Sequence, residues 1–518
     1  MENIARPASV NFPPMARRSI ALIEREVAPA DASGSEVATA NAPAPAPAGK
    51  RSRWLAVVPF LVLLPLFYGF AWLKGEKTNS GMQPGKEYHS IFYHDQHAYL
   101  SMAKKMRLSG YHRVETRHRT PGYAFLLSAL YSPKDDYVSP TGGENDPRLI
   151  SDAYFNRAKH FNIALSLISV VALFFICRRF LPPLESHVVT WSYAFLVAVI
   201  KAPYVQPEVA FYVVILLALV MLWRLLVQPR WWLAALAGVV LVTAFLLKST
   251  VLPLIALYVI CAGILFAKKI WEARGKLSVS EWRSSLAGLG VAAIVPVVFV
   301  VLLIPYFNHT KAMYGEPLWD VHSRHYMWME SKDDLAFWRS QGIMKPEFEA
   351  PEGKVIPTAE TYLQSHTLTQ MVDREKAGWQ SIRNLVKKEY HPVYDLTKHL
   401  MVWVLVMVAL MCWRRTREAF IRHWVEWLLV LGFLGGYGFL YGWFQAVGVG
   451  PRLILTLFLP AFFFAILGIH RLSAPMILQF FHWQTPLRYV VSGVMIGFIL
   501  ISGIGVLSGD LWVVEGGH

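Results

Sequence analysis

Two short stretches of this chain concentrate side chains that could carry out chemistry. Residues 93–99 contain Asp95 between His94 and His97, and residues 117–123 contain two arginines separated by a histidine. A carboxylate can take a proton from a hydroxyl group, and guanidinium groups can bind a phosphate and stabilise its charge. Together the two stretches predict proton transfer beside an anionic group.

Asp95 falls in the first turn of a predicted helix. Apolar residues recur at helical spacing from Tyr99 to Met106, while Lys104 and Lys105 belong to the opposite face, which is typical of a helix lying along a membrane surface. A carboxylate in a first turn caps free N–H groups and suits the positive end of the helix. Capping and catalysis are compatible, so both interpretations of Asp95 stay open.

Arg119 precedes a predicted turn. Pro121 and Gly122 mark that turn, and an apolar stretch from Ala124 to Tyr131 follows it. Arg119 is therefore expected near the start of a helix, where an anion is favoured. This position suits a guanidinium group that binds a phosphate.

The histidines beside Asp95 have two possible roles. His94 and His97 could tune the carboxylate by hydrogen bonding, or they could ligate a metal. Hydrogen bonding is favoured, because the sequence contains no cluster with metal-ligand spacing. No cofactor is indicated, although a divalent metal stays possible.

The composition indicates a polytopic membrane protein. Of the 518 residues 55% are hydrophobic, which favours membrane spans over several soluble domains. Much of the net charge of +15 lies in short loops between apolar runs, where it orients the chain and supports nucleic-acid binding only weakly. The three cysteines, Cys177, Cys261 and Cys412, fall within or at the ends of predicted spans, so no disulfide framework is expected.

The predicted fold class is an all-α polytopic membrane protein with about eleven transmembrane helices and two long outer loops that carry interfacial helices. Every even-numbered span ends in a basic residue, which places the N-terminus in the cytoplasm and both long loops on the outer face. The predicted spans are about 54–73, 160–177, 188–205, 207–223, 231–247, 250–267, 286–305, 399–413, 424–444, 453–469 and 489–507.

This pattern divides the chain into four regions. An amphipathic helix is expected at about 368–390, either lying on the membrane or solvated and packed on the first outer loop. The regions are a disordered cytoplasmic tail at 1–53, a membrane core at 54–305 that includes the first outer loop 74–159, a second outer loop at 306–398 that carries the amphipathic helix, and C-terminal transmembrane helices at 399–518.

Three charged residues stand at the outer ends of predicted spans, namely Glu208, Lys248 and Arg452. Ionisable groups near a membrane are costly and tend to face a cavity or a partner. Snorkelling of Lys248 and Arg452, and helix capping by Glu208, are the structural alternatives. If the three groups converge, they form an electropositive pocket for a phosphate with a carboxylate nearby.

The order of these motifs resembles that of the GT-C glycosyltransferases, in particular the bacterial branch of the protein O-mannosyltransferase and lipid A aminoarabinose transferase superfamily. The resemblance starts with residues 95–99, Ala103 and residues 119–123. It continues through short motifs that span most of the region from about 85 to 470. These lie at 156–158, 178–180, 202–208, 247–250, 306–308, 451–452 and Pro460.

The resemblance implies transfer of a sugar from a polyprenyl-phosphate donor to an acceptor at the outer face of a bacterial inner membrane, with inversion at the anomeric carbon. Asp95 would be the catalytic base or the acceptor-binding group, and Gln96 stands where many relatives have an acidic residue, which weakens a metal site built on paired carboxylates. Donor-phosphate binding would fall to Arg119, Lys248 and Arg452, and substrate binding to His94, Tyr99, Arg117, Tyr123 and Glu208.

The alternative function is a transporter or flippase for a lipid-linked or anionic solute. It predicts charged residues deep within spans and helices broken at mid-membrane. The charges here cluster at the outer ends of predicted spans, which favours the enzyme, and a non-catalytic scaffold leaves them unexplained. The donor sugar stays open, as does the acceptor, which is a cell-envelope glycan, a lipid or a protein.

Overall fold

The computed structural model describes a large part of the chain. The chain divides into a unit of residues 1–53, of which only the helical residues 50–53 are described, and a unit of residues 54–518. The predicted disordered tail therefore lies almost wholly outside the described residues. These are 50–77, 93–112, 114, 119–135, 150–273, 278–345, 348–389, 408–409, 414–448, 453–473, 477–480 and 483–509.

The described part is mainly helical. Two short strands, β1 (Ile477–Phe480) and β2 (Trp483–Pro486), pair in antiparallel register with Ile477 opposite Pro486, and they are an exception to the predicted all-α class. The helices are α1 (Lys50–Lys77), α2 (Tyr93–Leu108), α3 (Gly122–Ser128), α4 (Asp152–Phe180), α5 (Pro183–Tyr193), α6 (Val199–Lys201), α7 (Glu208–Val227), α8 (Trp231–Leu247), α9 (Leu252–Glu272), α10 (Val279–Tyr314), α11 (Val321–Arg324), α12 (Lys332–Ser340), α13 (Ala359–Ser365), α14 (Leu368–Glu389), α15 (Arg414–Arg422), α16 (Trp424–Phe444), α17 (Leu455–Ser473) and α18 (Leu487–Ser508).

The chain is a polytopic helical membrane protein. The shorter apolar helices Trp231–Leu247 and Leu455–Arg471 coincide with the predicted fifth and tenth spans, and most of the predicted span at 399–413 lies outside the described residues. The total of eleven stays a prediction. Within the described residues, eight helices are long and apolar enough to cross a membrane: Val57–Glu76, Asp152–Phe180, Pro183–Lys201, Glu208–Val227, Ser249–Glu272, Val279–Tyr314, Trp424–Val447 and Tyr489–Ser508.

The centre of the bundle is formed by α7 and by the span Pro183–Lys201, in which a π-helical turn at Ala194–Ala198 joins α5 to α6. Helix α7 packs against α4, α8, α9, α16 and α17. Its apolar side chains are buried all round, as expected for a central helix, whereas α1, α10 and α18 leave most of their apolar surface exposed. Such apolar surface suits contact with lipid.

The predicted helix at Asp95 is confirmed as α2, but its polar face is not arranged as expected. Tyr99 and Met106 are buried as predicted, and Lys104, which was expected on the exposed face, is buried as well. Its ammonium group lies 5.8 Å from the centroid of the Tyr131 ring. Helix α2 packs closely against α3, so more of its circumference is covered than a helix resting on a membrane surface requires.

The predicted amphipathic helix of the second outer loop is confirmed as α14. It packs along α16, with Ile382 and Val386 in the main core. The close approach requires Gly378, because a Cβ atom there would overlap the carbonyl group of Gly442. Ahead of α14, residues from Tyr314 to Ile343 form a second apolar cluster together with Val447, which follows α16.

Candidate functional site

Asp95 and Arg119 form an ion pair at the start of α2. The Arg119 Nη2 donates a hydrogen bond to Asp95 Oδ1, and the two side chains are 24% and 18% exposed. The Arg119 guanidinium carbon also lies 5.4 Å from the centroid of the Tyr99 ring. The geometry joins three predicted site residues, with both charged groups still partly accessible.

The backbone around α3 sets the position of Arg119. The first residue of α3 is Gly122, where a Cβ atom would lie 2.7 Å from the carbonyl oxygen of Leu246 at the end of α8. Glycine therefore permits the start of α3 to sit directly on α8. Arg119 comes three residues earlier, so this contact restricts where its backbone can run.

A second ion pair lies at the outer ends of predicted spans. The Lys248 Nζ is 3.5 Å from Glu208 Oε1, and the side chain of Glu208 is 6% exposed. The Lys248 ammonium group also lies 5.7 Å from the centroid of the Phe211 ring. Lys248 turns towards α7, where it pairs with Glu208.

Tyr123 lies between the two ion pairs. Its ring meets the ring of Tyr99 edge-on at a centroid distance of 5.2 Å. Burial raises the pKa of the Tyr123 phenol well above its ordinary value, and the negative charge of Glu208 raises it further. Since Tyr123 is fully buried, its predicted role in substrate binding is less direct than that of Asp95 or Arg119.

Two buried amides fix the backbone turn that precedes Glu208. The Asn162 Nδ2 donates to the carbonyl oxygens of Ala202, at 2.9 Å, and Tyr204, and its Oδ1 accepts from the Tyr123 hydroxyl at 2.9 Å. The Oε1 of Gln96 accepts from the backbone N–H of Val205 at 2.7 Å. The turn is thereby attached to α2, α3 and α4.

Three buried lysines surround the same turn. The ammonium groups of Lys74 and Lys201 lie 5.7 and 5.2 Å from the centroid of the Tyr204 ring, and Lys159 donates to the carbonyl oxygen of Gly75 at 2.6 Å. Sequence reasoning missed them. Lys74 and Lys159 flank the first two predicted spans on their outer side, and this placement was the available signal.

The second outer loop approaches the Asp95 pair through His322 of α11. Burial lowers the pKa of the His322 imidazole below its ordinary value, and the charges of both Arg119 and Asp95 act on it as well. Its ring meets the Tyr326 ring edge-on at 5.0 Å. A separate hydrogen bond of 2.9 Å joins His309 Nε2, near the end of α10, to the carbonyl oxygen of Val114, which ties α10 to the first loop.

No protein-family model and no curated protein matches this chain. The resemblance to GT-C glycosyltransferases therefore rests on the sequence motifs alone.

Three predicted site residues cannot be placed. Arg117 and Arg452 lie outside the described residues, and His94 lies in α2 but its side chain is not described. Among the residues that are described, no group of three or more His, Cys, Asp or Glu side chains could hold a metal ion. Within the described residues the candidate site is therefore built from two ion pairs, two amides and a group of lysines.

Proposed function

We propose that this protein is a membrane glycosyltransferase that moves a sugar from a polyprenyl-phosphate donor to a hydroxyl group of a cell-envelope glycan, lipid or protein, at the outer face of the membrane and with inversion. The observation that supports it best is the Asp95–Arg119 ion pair. In this pair a carboxylate and a guanidinium group lie side by side, and both are partly accessible.

The proposed chemistry needs few groups. The acceptor oxygen attacks the anomeric carbon while the bond from that carbon to the phosphate oxygen breaks, and Asp95 takes the acceptor proton. The products are the glycosylated acceptor, polyprenyl phosphate and a protonated Asp95. Because phosphate is a good leaving group, the main demand is for cations that stabilise the charge on its oxygens.

Arg119 can supply the cation that stabilises the charge on the phosphate oxygens. A guanidinium group has five N–H donors and can contact a carboxylate and a phosphate at once. On donor binding we expect Arg119 to keep one contact to Asp95 and to turn its remaining donors to the phosphate. The partly exposed position of Arg119 allows this change without unfolding of α2.

The surrounding charges support an anionic substrate. Lys74, Lys159 and Lys201 gather at one turn, and Lys248 pairs with Glu208, which directly follows that turn. In the topology predicted from the sequence, all four lie at the level of the outer lipid headgroups. The phosphate of a polyprenyl carrier would be found at that level.

The test uses purified protein in lipid nanodiscs with a panel of polyprenyl-phosphate sugars and candidate acceptors. Release of polyprenyl phosphate is followed by mass spectrometry for the wild type, Asp95→Asn and the control Asp373→Asn. Asp373 is an exposed aspartate of α14 that pairs with Lys376 in the adjacent turn. We expect release from one donor class, abolished by Asp95→Asn and unchanged by Asp373→Asn.

Undiminished release by Asp95→Asn would contradict the assignment of the base. A protein that releases no polyprenyl phosphate from any donor, yet moves a lipid-linked sugar across the bilayer, would instead be a transporter or flippase.

A further inference from the structure

A small cavity lies between α5, α17 and α18. Glu185, His470 and Ser492 supply its polar lining, and apolar side chains of the same three helices complete it. Glu185 stands at the beginning of the span Pro183–Lys201, whereas Lys201 near the proposed site stands at its other end. The cavity is therefore remote from the Asp95 pair and has no part in the chemistry proposed above.

Glu185 is the distinctive group of this cavity. It is 4% exposed, and neither of its carboxylate oxygens accepts a hydrogen bond within the described residues. The nearest charged or titratable neighbour in an ion-pair contact is His470, whose Nδ1 lies 3.5 Å from Oε1 and is likewise buried without a hydrogen bond in the described part of the chain. Buried carboxylates require hydrogen-bond donors, because desolvation without them costs several kcal/mol.

The position of Glu185 in its helix stabilises its charge but does not supply the hydrogen-bond donors that a buried carboxylate requires. Glu185 lies in the first turn of α5, where the positive end of the helix dipole favours a negative charge. The N-cap residue Pro182 makes no side-chain hydrogen bond, and Glu185 makes no capping bond of its own in the described residues. Its two oxygens remain directed at the cavity.

The lining chemistry defines the occupant. A carboxylate offers only acceptors, and a neutral imidazole offers an acceptor at one of its nitrogens. Two carboxylate oxygens and one hydroxyl group are too few for Ca²⁺, which takes six to eight oxygen ligands. A primary ammonium group fits better, since its three N–H donors and its positive charge match both the acceptors and the charge of Glu185.

We propose that the Glu185 cavity binds a primary ammonium group. The group can come from the headgroup of an aminophospholipid or from a small free ammonium ion. Arg178, at the end of α4, is close enough to feel the charge of Glu185, and the adjacent Arg179 adds a second cation at this end of the bundle. In an aminophospholipid a phosphate group lies next to the ammonium group and would be attracted to these two arginines. This favours the lipid headgroup over the free ammonium ion.

The lipid is tested by native mass spectrometry of delipidated protein titrated with phosphatidylethanolamine or phosphatidylcholine. Phosphatidylcholine is the matched lipid, because its trimethylated nitrogen carries no N–H donor. We expect one retained phosphatidylethanolamine and at least about tenfold weaker retention of it by Glu185→Gln, as expected for loss of a charged hydrogen bond. Glu272→Gln, at an exposed glutamate at the end of α9, should bind as the wild type does.

The free ion is tested by thermal unfolding in detergent with ammonium chloride against potassium chloride at equal ionic strength. A higher Tm in ammonium for the wild type, absent from Glu185→Gln, would identify the free ion as a sufficient ligand. A response to phosphatidylethanolamine alone would identify the headgroup.

Equal behaviour of the wild type and Glu185→Gln towards both probes would overturn the proposal. If Glu185→Gln does not fold, His470→Gln serves instead, because it removes the imidazole and keeps the carboxylate. We then expect weakened binding of the ammonium probe, and unchanged binding counts against the site.

Discussion

Arg119 donates a hydrogen bond to Asp95 while its guanidinium carbon lies 5.4 Å from the centroid of the Tyr99 ring. The carboxylate and the ring together fix the guanidinium group, since a cation over an aromatic face is attracted to it and the ion pair adds a directional hydrogen bond. The proposed base and the proposed phosphate ligand are thus positioned by each other before any substrate binds.

Two replacements of Arg119 distinguish the contribution of its positive charge to catalysis from that of its guanidinium geometry. We expect Arg119→Ala to lower kcat by about a hundredfold, as is typical when one transition-state donor is removed, and Arg119→Lys to lower it less. Polyprenyl-phosphate release measures both. Arg107→Lys, at an exposed position on α2, is the control and should have no effect. Activity of Arg119→Ala equal to that of the wild type would contradict phosphate binding by this residue.

Gly122→Ala tests whether the contact between α3 and α8 positions Arg119. A Cβ atom at this residue would lie 2.7 Å from the carbonyl oxygen of Leu246, so the start of α3 must move. We expect a loss of transfer of at least about tenfold, because small misplacements at a reacting centre are costly. At Gly263 of α9 a Cβ atom meets nothing within 4 Å, and Gly263→Ala should transfer normally. Equal rates for the two variants would exclude this positioning role.

Asn162→Ala should destabilise the fold. The change removes the partner of the buried Tyr123 hydroxyl and of the Ala202 carbonyl oxygen, and one of the two donors to the Tyr204 carbonyl oxygen, which keeps the Gln206 N–H. Each buried group left without a partner costs about 1–3 kcal/mol, so we expect a loss of roughly 3 kcal/mol or more in unfolding free energy. Denaturant unfolding in mild detergent measures it. Ser169→Ala on the same helix, where only a bond to the Leu165 carbonyl is lost, should cost far less.

The pKa of His322 predicts a stability that depends on pH. Burial lowers the folded-state pKa below the ordinary value of 6.5, and the positive charges of Arg119 and Arg339 lower it too, while Asp320 and Asp95 oppose them. The unfolded chain therefore binds the proton more readily, so stability is fully present above pH 6.5 and is lost as the pH falls through the folded pKa. Scans of Tm from pH 8 to pH 5 should show a smaller loss for His322→Gln than for the wild type. Parallel profiles would rule out a contribution from His322.

The sequence predicts the helices well, because apolar runs of membrane length and their basic flanks are local signals. Most spans are predicted in this way, and helices α2 and α14 are predicted by their amphipathic periodicity. That Asp95 and Arg119 lie near each other could be predicted, since both belong to one predicted loop. The approach of His322 to this ion pair could not be predicted. It depends on how a second loop, some two hundred residues away, folds around an apolar cluster.

The burial of Lys104 and the pairing of Lys248 show a second limit. A lysine on the polar face of a helix is expected at the surface, and its burial depends on which neighbour covers that face. Here Tyr131 lies over Lys104, and Glu208 of α7 meets Lys248. Both neighbours are distant enough in sequence that spacing alone carries no signal for the contact.

A double-mutant cycle tests the role of the Glu208–Lys248 ion pair. Glu208→Gln or Lys248→Met alone leaves one charge in a largely buried position, which should cost about 3 kcal/mol of unfolding free energy. The double variant removes both charges, so it should be more stable than the sum of the single losses predicts. Transfer should nevertheless stay low in Lys248→Met and in the double variant if Lys248 serves the donor phosphate, because both lack the cation and only the double variant recovers stability. Recovery of transfer together with stability in the double variant would assign the pair a purely structural role.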